Sequence, residues 1–448
     1  MKQHEKPKYN LWQSLGFMLD YGWRVNKRVI FLCLGFAALE LSVNVAQLFL
    51  TPSILKKVET AAPLSQLLGT IGIFTLVLLF LLSLREYVVQ NKIFDQIQTR
   101  IVILHDLNEK ALVTSYPNMN DPEIHKLKDR AAQSGFSNSA PLEHIWITLS
   151  QLILNLAGFL LYIALLSNLD PFLLVVIVVT TAISFWVNQK RLKWDYLHRG
   201  ELDKAINHTN YFRRTMESPA TAKDIRIFGL VPWLRELRQK TYDLQDAYIA
   251  RRDSHTLLAA AIDLTLAFLR NGIAYYYLIH LLFATNMPVS EFLLYFTAFS
   301  GFSEWVTGIL TQCTELRRET LEISAVQEFL NLPEPFRFED GLSVPNSNQY
   351  ELRLENVSFR YPGTEKDIIR NMNLVIHPGE KLAVVGLNGA GKSTLVKLLC
   401  GFYDPSEGRI LLNGQDIREF DRRKYYKLFS AVFQDFSKIG RASCRERV

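Results

Sequence analysis

The 448 residues read as an α-helical membrane bundle of six spans joined to an α/β domain, and three observations point there. Six apolar stretches of bilayer length fall before Glu315, separated by connections that are either short or long and basic. Beyond that residue the chain turns polar, as a water-exposed domain does. Within the polar part, a glycine-rich loop lies between a short apolar run and a breaker-free helical one, an order that suits the binding of phosphate.

Composition narrows the class. The chain is 49% hydrophobic and 21% charged, which excludes a disordered chain, and four cysteines are too few for a disulfide scaffold. Cys33, Cys313, Cys400 and Cys444 form no CxxC pair, which fits a reducing cytosolic and membrane setting. Lys2, Lys6 and Lys8 are followed by no short apolar core with a small-residue cleavage site, so no removable signal peptide is expected. The net charge of +6 lies mostly between apolar spans. It therefore reports membrane topology and not a nucleic-acid partner.

A helix needs about 20 mostly apolar residues to cross the bilayer core. Leu67–Leu84, Ile145–Leu169 and Pro171–Asn188 carry no charge, and Val29–Leu55 carries only Glu40. Leu257–Phe283 holds Asp263 and Arg270, and Phe292–Thr314 holds Glu304. The connections Asn91–Pro141 and Gln189–His255 are rich in Lys and Arg, whereas the short loop after the first span has only Lys56 and Lys57, and Ser167–Asp170 and Ala284–Ser290 have none. The positive-inside rule then puts both chain ends and both long loops in the cytoplasm, in a multi-pass plasma (cytoplasmic) membrane protein. Each long loop has helical patterning broken near its middle, at Tyr116–Pro122 and at Ser218–Pro219. Short helices are expected at about Asp121–Arg130 and Ala220–Phe228. Ahead of the first span, Leu11, Trp12, Leu15, Met18 and Leu19 share one helical face, with Trp23, Arg24, Lys27 and Arg28 behind them. That pattern predicts a helix lying in the membrane interface over residues 1–28, the alternative being an ordinary packed N-terminal helix.

After a proline-rich linker (332–349), Leu352–Phe359, Ile368–Ile376 and Arg409–Leu412 read as strands, and Arg422–Leu428 as a helix. The sharpest motif is Gly386-Leu387-Asn388-Gly389-Ala390-Gly391-Lys392-Ser393-Thr394, a G-x4-GK[ST] loop. Lys381–Val385 before it reads as a short buried strand, and Lys392–Cys400 after it as a helix. Glycines let the backbone wrap close to phosphate, and the converging N–H groups and the helix N-terminus attract the anion. Lys392 is placed to reach the β- and γ-phosphates, and the Ser393 hydroxyl to ligate Mg²⁺. The expected ligand is ATP with Mg²⁺. The nine histidines show no paired metal-ligand spacing, so no other metal is expected.

Six spans, long cytoplasmic loops and then this P-loop resemble an ABC exporter with fused membrane and ATP-binding domains. The resemblance implies an adenine-stacking role for Tyr361, in Val357-Ser358-Phe359-Arg360-Tyr361-Pro362. It implies a Q-loop role, touching Mg²⁺ and sensing the membrane domain, for Gln434 in Val432-Phe433-Gln434-Asp435-Phe436. Lys223–Gly229 resembles the stretch that leads to a coupling helix. The family's later parts do not appear: an LSGGQ-type signature, an aspartate followed by a catalytic glutamate, and a switch histidine. The α/β nucleotide-binding domain (350–437) is therefore expected to be incomplete, with no catalytic residue in this chain and at most weak ATP binding without turnover. Lys438–Val448 shifts to a basic, structureless composition and reads as a translated sequencing adapter, which predicts that the natural sequence ends near Ser437.

Within the transmembrane domain (29–331), Glu40, Asn44 and Gln47 form one stripe of the first span. Asp263 and Arg270 share a face of the fifth, and Glu304 sits in the sixth. They read either as helix–helix hydrogen bonds or as a cavity for a small amphipathic cargo. No Cys/His protease-like domain precedes the first span, which argues against exporters that cleave peptide leaders. The family implies a second half-transporter, as homodimer or heterodimer, in the lipid bilayer. The alternative is a nucleotide-responsive membrane regulator that transports nothing. A P-loop kinase on an anchor fits poorly, since an anchor needs one span.

Overall fold

The structure, a computed structural model, describes residues 8–166, 171–285, 287–347, 349–387 and 389–432. They divide into two compact units. The first comprises the N-terminal residues to Tyr21, Thr99–Leu142 and the chain from Thr320 onward; the second comprises Gly22–Gln98 and Glu143–Glu319.

The second unit is helical. It contains α2 (Arg28–Glu59), α7 (Pro171–Glu217), α8 (Pro219–Ile227) and α9 (Val231–Thr285). It also takes most of α3 (Leu64–Val113), α6 (Pro141–Leu166) and α10 (Val289–Leu330). Four of these helices, α2, α3, α6 and α9, are long and apolar enough to cross a membrane. The chain is a multi-pass membrane protein. The other two predicted spans fall within α7 and α10; α10 carries Glu291 and Glu304 among serines, threonines and glycines. Large apolar side chains along α3, among them Leu68, Ile73, Leu76, Leu79 and Phe80, are exposed, as lipid-facing residues would be.

Packing in this unit depends on small residues at the helix contacts. Ala37 and Leu48 of α2, Leu154 and Tyr162 of α6, and Ala274 and Leu278 of α9 form a core with Phe299, Phe302 and Trp305 of α10. Phe159 stacks on Phe302 at 5.3 Å, and Tyr162 meets Trp305 edge-on at 5.8 Å. A Cβ at Gly158 would lie 2.5 Å from the Trp305 ring, so only glycine lets α6 and α10 come this close. The polar residues of the spans make helix–helix contacts. Arg85 pairs with Glu40 at 3.3 Å, Asn188 donates to Asp263 at 3.0 Å, and Ser184 also donates to Asp263. Arg270 is buried, while Glu304 is exposed. Pro219 opens α8 at a position where a missing N–H costs nothing, as the Ser218–Pro219 break predicted.

The first unit holds the nucleotide-domain portion together with the first long loop. The loop forms α4 (Tyr116–Asn120) and α5 (Pro122–Gln133), the latter capped by the Asp121 carboxylate accepting from the Glu123 N–H at 2.8 Å. An antiparallel sheet runs in the order β2-β1-β3-β4, with β1 at Leu352–Phe359, β2 at Ile369–Ile376, β3 at Glu407–Leu412 and β4 at Gln415–Asp416. Leu354 pairs with Leu374 on one side and Ile410 on the other. A bulge between Glu355 and Ser358 shifts the register, which is why both Leu354 and Val357 point into the core despite odd spacing. Leu395 and Leu398 of α11 (Lys392–Leu399) and Tyr425 of α12 (Arg422–Tyr426) close that core.

Lys381–Val385 corrects one expectation. It forms no strand, and Val385 is 93% exposed. A buried strand of a parallel sheet needs neighbours on both edges, and among the described residues none pairs with it. The linker is not free either. Leu342 donates its N–H to the Glu419 carbonyl at 2.8 Å, and a Cβ at Gly341 would strike the Asp421 backbone at 2.1 Å. The N-terminal α1 (Leu11–Val25) forms as predicted. It buries Leu15 and Met18 inside the protein and leaves Trp12 78% exposed.

Candidate nucleotide-binding site

The phosphate loop leads from Gly386 into α11, whose first turn carries Lys392, Ser393 and Thr394. Gly391 precedes the helix at φ 89°, in the left-handed region that side chains other than glycine rarely adopt. A Cβ there would also come within 3.2 Å of Ile368. Gly389 has φ 83°, and the Ala390 N–H turns back to the Leu387 carbonyl at 3.2 Å. Gly389 and Gly391 thus supply the left-handed backbone by which the loop turns into the helix start.

Lys392 folds over that loop. Its Nζ donates to the Gly386 carbonyl at 2.7 Å and to the Leu387 carbonyl at 2.8 Å. The ammonium is held where it caps the loop, and a phosphate would have to compete with those two carbonyls for it. Ser393 is exposed, as a hydroxyl that meets a ligand must be, whereas Thr394 is buried. Ser393 and phosphate oxygens make an all-oxygen donor set suited to Mg²⁺.

Tyr361 follows β1 in sequence and lies 33 residues before Thr394. Its hydroxyl shares a 3.1 Å hydrogen bond with Thr394 Oγ1, so the aromatic ring and the first turn of α11 are brought together. The turn carrying it is fixed by the Thr364 N–H and hydroxyl, which donate to the Tyr361 carbonyl at 3.1 and 2.8 Å. Asn388 and Gln434 lie outside the described residues.

Sequence reasoning missed the ring cluster behind Tyr361. Tyr403 is 3% exposed and meets Tyr361 edge-on at 5.3 Å and Tyr116 of α4 edge-on at 5.4 Å. Asn120 Nδ2 donates to the Tyr403 hydroxyl at 2.7 Å. Burial pushes the Tyr403 phenol up to about 12, despite the lowering effect of the Asn120 hydrogen bond, so it stays protonated. The aromatic pair Phe402-Tyr403, which follows α11 after Cys400 and Gly401, was the available signal. Also missed was a junction between the linker and the first loop. Glu334 accepts from Lys110 Nζ at 2.6 Å and from the Ser115 N–H at 2.9 Å, while Asn118 donates to the Pro333 carbonyl at 3.1 Å.

Residues 369–447 match the family model described as ABC transporter. The chain is 25% identical over 79% of its length to the subtilin transport ATP-binding protein SpaT of Bacillus subtilis, covering 58% of that protein. It is 35% identical over 33% of its length to an ATP-dependent lipid A-core flippase of Hahella chejuensis, covering 25% of it. Over 22% of its length it is 44% identical to the mitochondrial iron-sulfur clusters transporter ATM1 of Saccharomyces cerevisiae, covering 14%. The chain therefore spans less than two thirds of each of these relatives. Among solved structures, a bacterial Atm1-family ABC exporter with ATP bound aligns over 90% of this chain and 70% of its own, with a TM-score of 0.69 at 15% identity.

Proposed function

From a chain that carries ABC transporter sequence and has the fold of an ABC exporter with fused membrane and nucleotide domains, we propose half of an ATP-driven exporter. The observation that carries this reading is the junction of α4 with the nucleotide site in one compact unit: a loop helix between predicted membrane spans packs on the residues beside the P-loop.

The residues divide the work. The loop N–H groups and the α11 N-terminus bind phosphate, Lys392 exchanges its carbonyl partners for phosphate oxygens, and Tyr361 stacks on the base. Ser393, with Gln434, would hold Mg²⁺, which neutralises phosphate charge. A second copy or a related chain supplies the other half, and the basic long loops and the nucleotide domain lie on the cytoplasmic side. The domains follow the sequence-based limits 1–28, 29–331, 332–349 and 350–437. No LSGGQ-type signature or catalytic glutamate stands in these 448 residues, so they bind ATP at most weakly and do not turn it over. The cargo is a small amphipathic molecule taken up between the spans.

The test is retention of a fluorescent ATP analogue by the chain in lipid nanodiscs with Mg²⁺, chased by ATP. Retention that Lys392→Ala weakens supports the reading; no retention overturns it. Robust phosphate release that Lys392→Ala abolishes would overturn the statement on turnover. Nucleotide binding by a completed dimer in vesicles, with no vectorial movement of any amphipathic cargo, would favour a regulator over an exporter.

A further inference from the structure

The aromatic cluster gives the first loop helix a path to the nucleotide site that avoids the phosphate loop. Tyr361 and Tyr403 stand at 88° to one another, and Tyr403 and Tyr116 at 86°. Phe402 packs on Tyr116 at 5.0 Å. The Lys397 ammonium lies 5.7 Å from the Tyr116 ring centre and 6.0 Å from that of Tyr361, a second link between the same two rings. Edge-to-face pairs hold a preferred geometry, and a buried ring in a close-packed site cannot tilt without moving its neighbours. The Tyr403 hydroxyl has its hydrogen bond from Asn120, the last residue of α4. A tilt of Tyr403 therefore breaks or strengthens a part-buried bond at the end of that helix.

We propose that Tyr403 is a positioning residue that passes occupancy of the Tyr361 ring by a nucleobase to α4. The loop helix then responds to the base of the bound nucleotide as well as to its phosphates. This rests on the reading of Tyr361 as the base platform. It assigns Asn120 as the receiving group and makes purine nucleoside triphosphates the ligand class that couples to the helix. A ligand with the same phosphates and no base occupies the P-loop silently.

The experiment measures hydrogen–deuterium exchange of the 115–121 amides in the full chain in nanodiscs with Mg²⁺. The arms are no ligand, ATP and inorganic tripolyphosphate, with binding of each followed by displacement of a fluorescent ATP analogue. ATP should slow exchange at least about fivefold, the low end of ordinary site-to-site coupling. Tripolyphosphate, though it displaces the analogue, should leave exchange unchanged. Tyr403→Phe keeps the ring and removes the hydroxyl, and Asn120→Ala removes its partner from the loop side. Either should abolish the ATP response while analogue binding stays within about twofold, because neither touches the ligand. Should Tyr403→Phe not fold, Asn120→Ala carries the test alone. Equal protection by tripolyphosphate, or an ATP response that survives both substitutions, overturns the proposal. Retained ATP with unchanged α4 exchange sinks this proposal only; no retained ATP in any arm sinks the nucleotide reading with it.

Discussion

Lys392→Ala separates affinity from stability, and the structure sets the size of each. The Nζ makes two bonds, to Gly386 and Leu387 carbonyls in an exposed loop. On truncation both carbonyls meet water, so unfolding should shift by no more than about 0.5 kcal/mol, as for other surface changes. A hydrogen bond to a charged group contributes about 1.5–3 kcal/mol. The lysine gives up two such bonds to gain those to the β- and γ-phosphates, so the net gain sits in the lower half of that range. At about 1.4 kcal/mol per decade, the ATP dissociation constant should rise roughly ten- to fortyfold. AMP lacks the phosphates that Lys392 reaches, so its weaker binding should be unchanged. Fluorescence titration of both nucleotides, with thermal unfolding in detergent as the control, gives all three numbers. An ATP dissociation constant within about threefold of the parent, or equal weakening of AMP, would show that Lys392 does not meet phosphate.

Three further outcomes follow from packing and charge. Gly158→Val forces a side chain into the Trp305 ring and should cost about 1–3 kcal/mol of overpacking, read as a lower unfolding temperature in detergent; an unchanged temperature would mean that α6 and α10 do not pack here. Arg422 is 2% exposed, donates to Asp404 at 2.6 Å and to the Gly401 carbonyl at 3.1 Å, and lies over the Phe336 ring. Arg422→Ala should destabilise by roughly 3 kcal/mol, while Asp404→Asn, at a side chain still in contact with water, should cost less; the reverse order in denaturant titration would count against this account. Burial pushes the Glu334 carboxyl up, but the bonds from Lys110, the Ser115 N–H and Thr114 together hold it below the ordinary carboxylate value. Its stabilisation is therefore complete above the ordinary carboxylate pKa and is lost as pH falls through the lowered one. Glu334→Gln should be less stable than the parent at neutral pH and equal to it in acid, and a pH-independent difference would refute the charge argument.

Much of the site was legible because its chemistry is local. Glycine at 389 and 391, lysine at 392 and a hydroxyl at 393 belong to one loop and one helix start, and the backbone conformations they need are written in adjacent residues. The helix breaks at Tyr116–Pro122 and Ser218–Pro219 were legible for the same reason. Lys381–Val385 failed because a strand is a property of its neighbours. The apolar pattern was there, but no described strand pairs with it.

The sequence alone determined that long apolar helices precede a glycine-rich loop that opens a helix, since span length and glycine conformation are properties of contiguous residues. Only the tertiary structure decided that Tyr361, Tyr403 and Tyr116, drawn from three distant segments, form one cluster, and that Glu334 ties the linker to the first loop. Such contacts depend on which buried faces meet, and a ring can be satisfied by many partners. The chain closes on one of them only when the whole core packs.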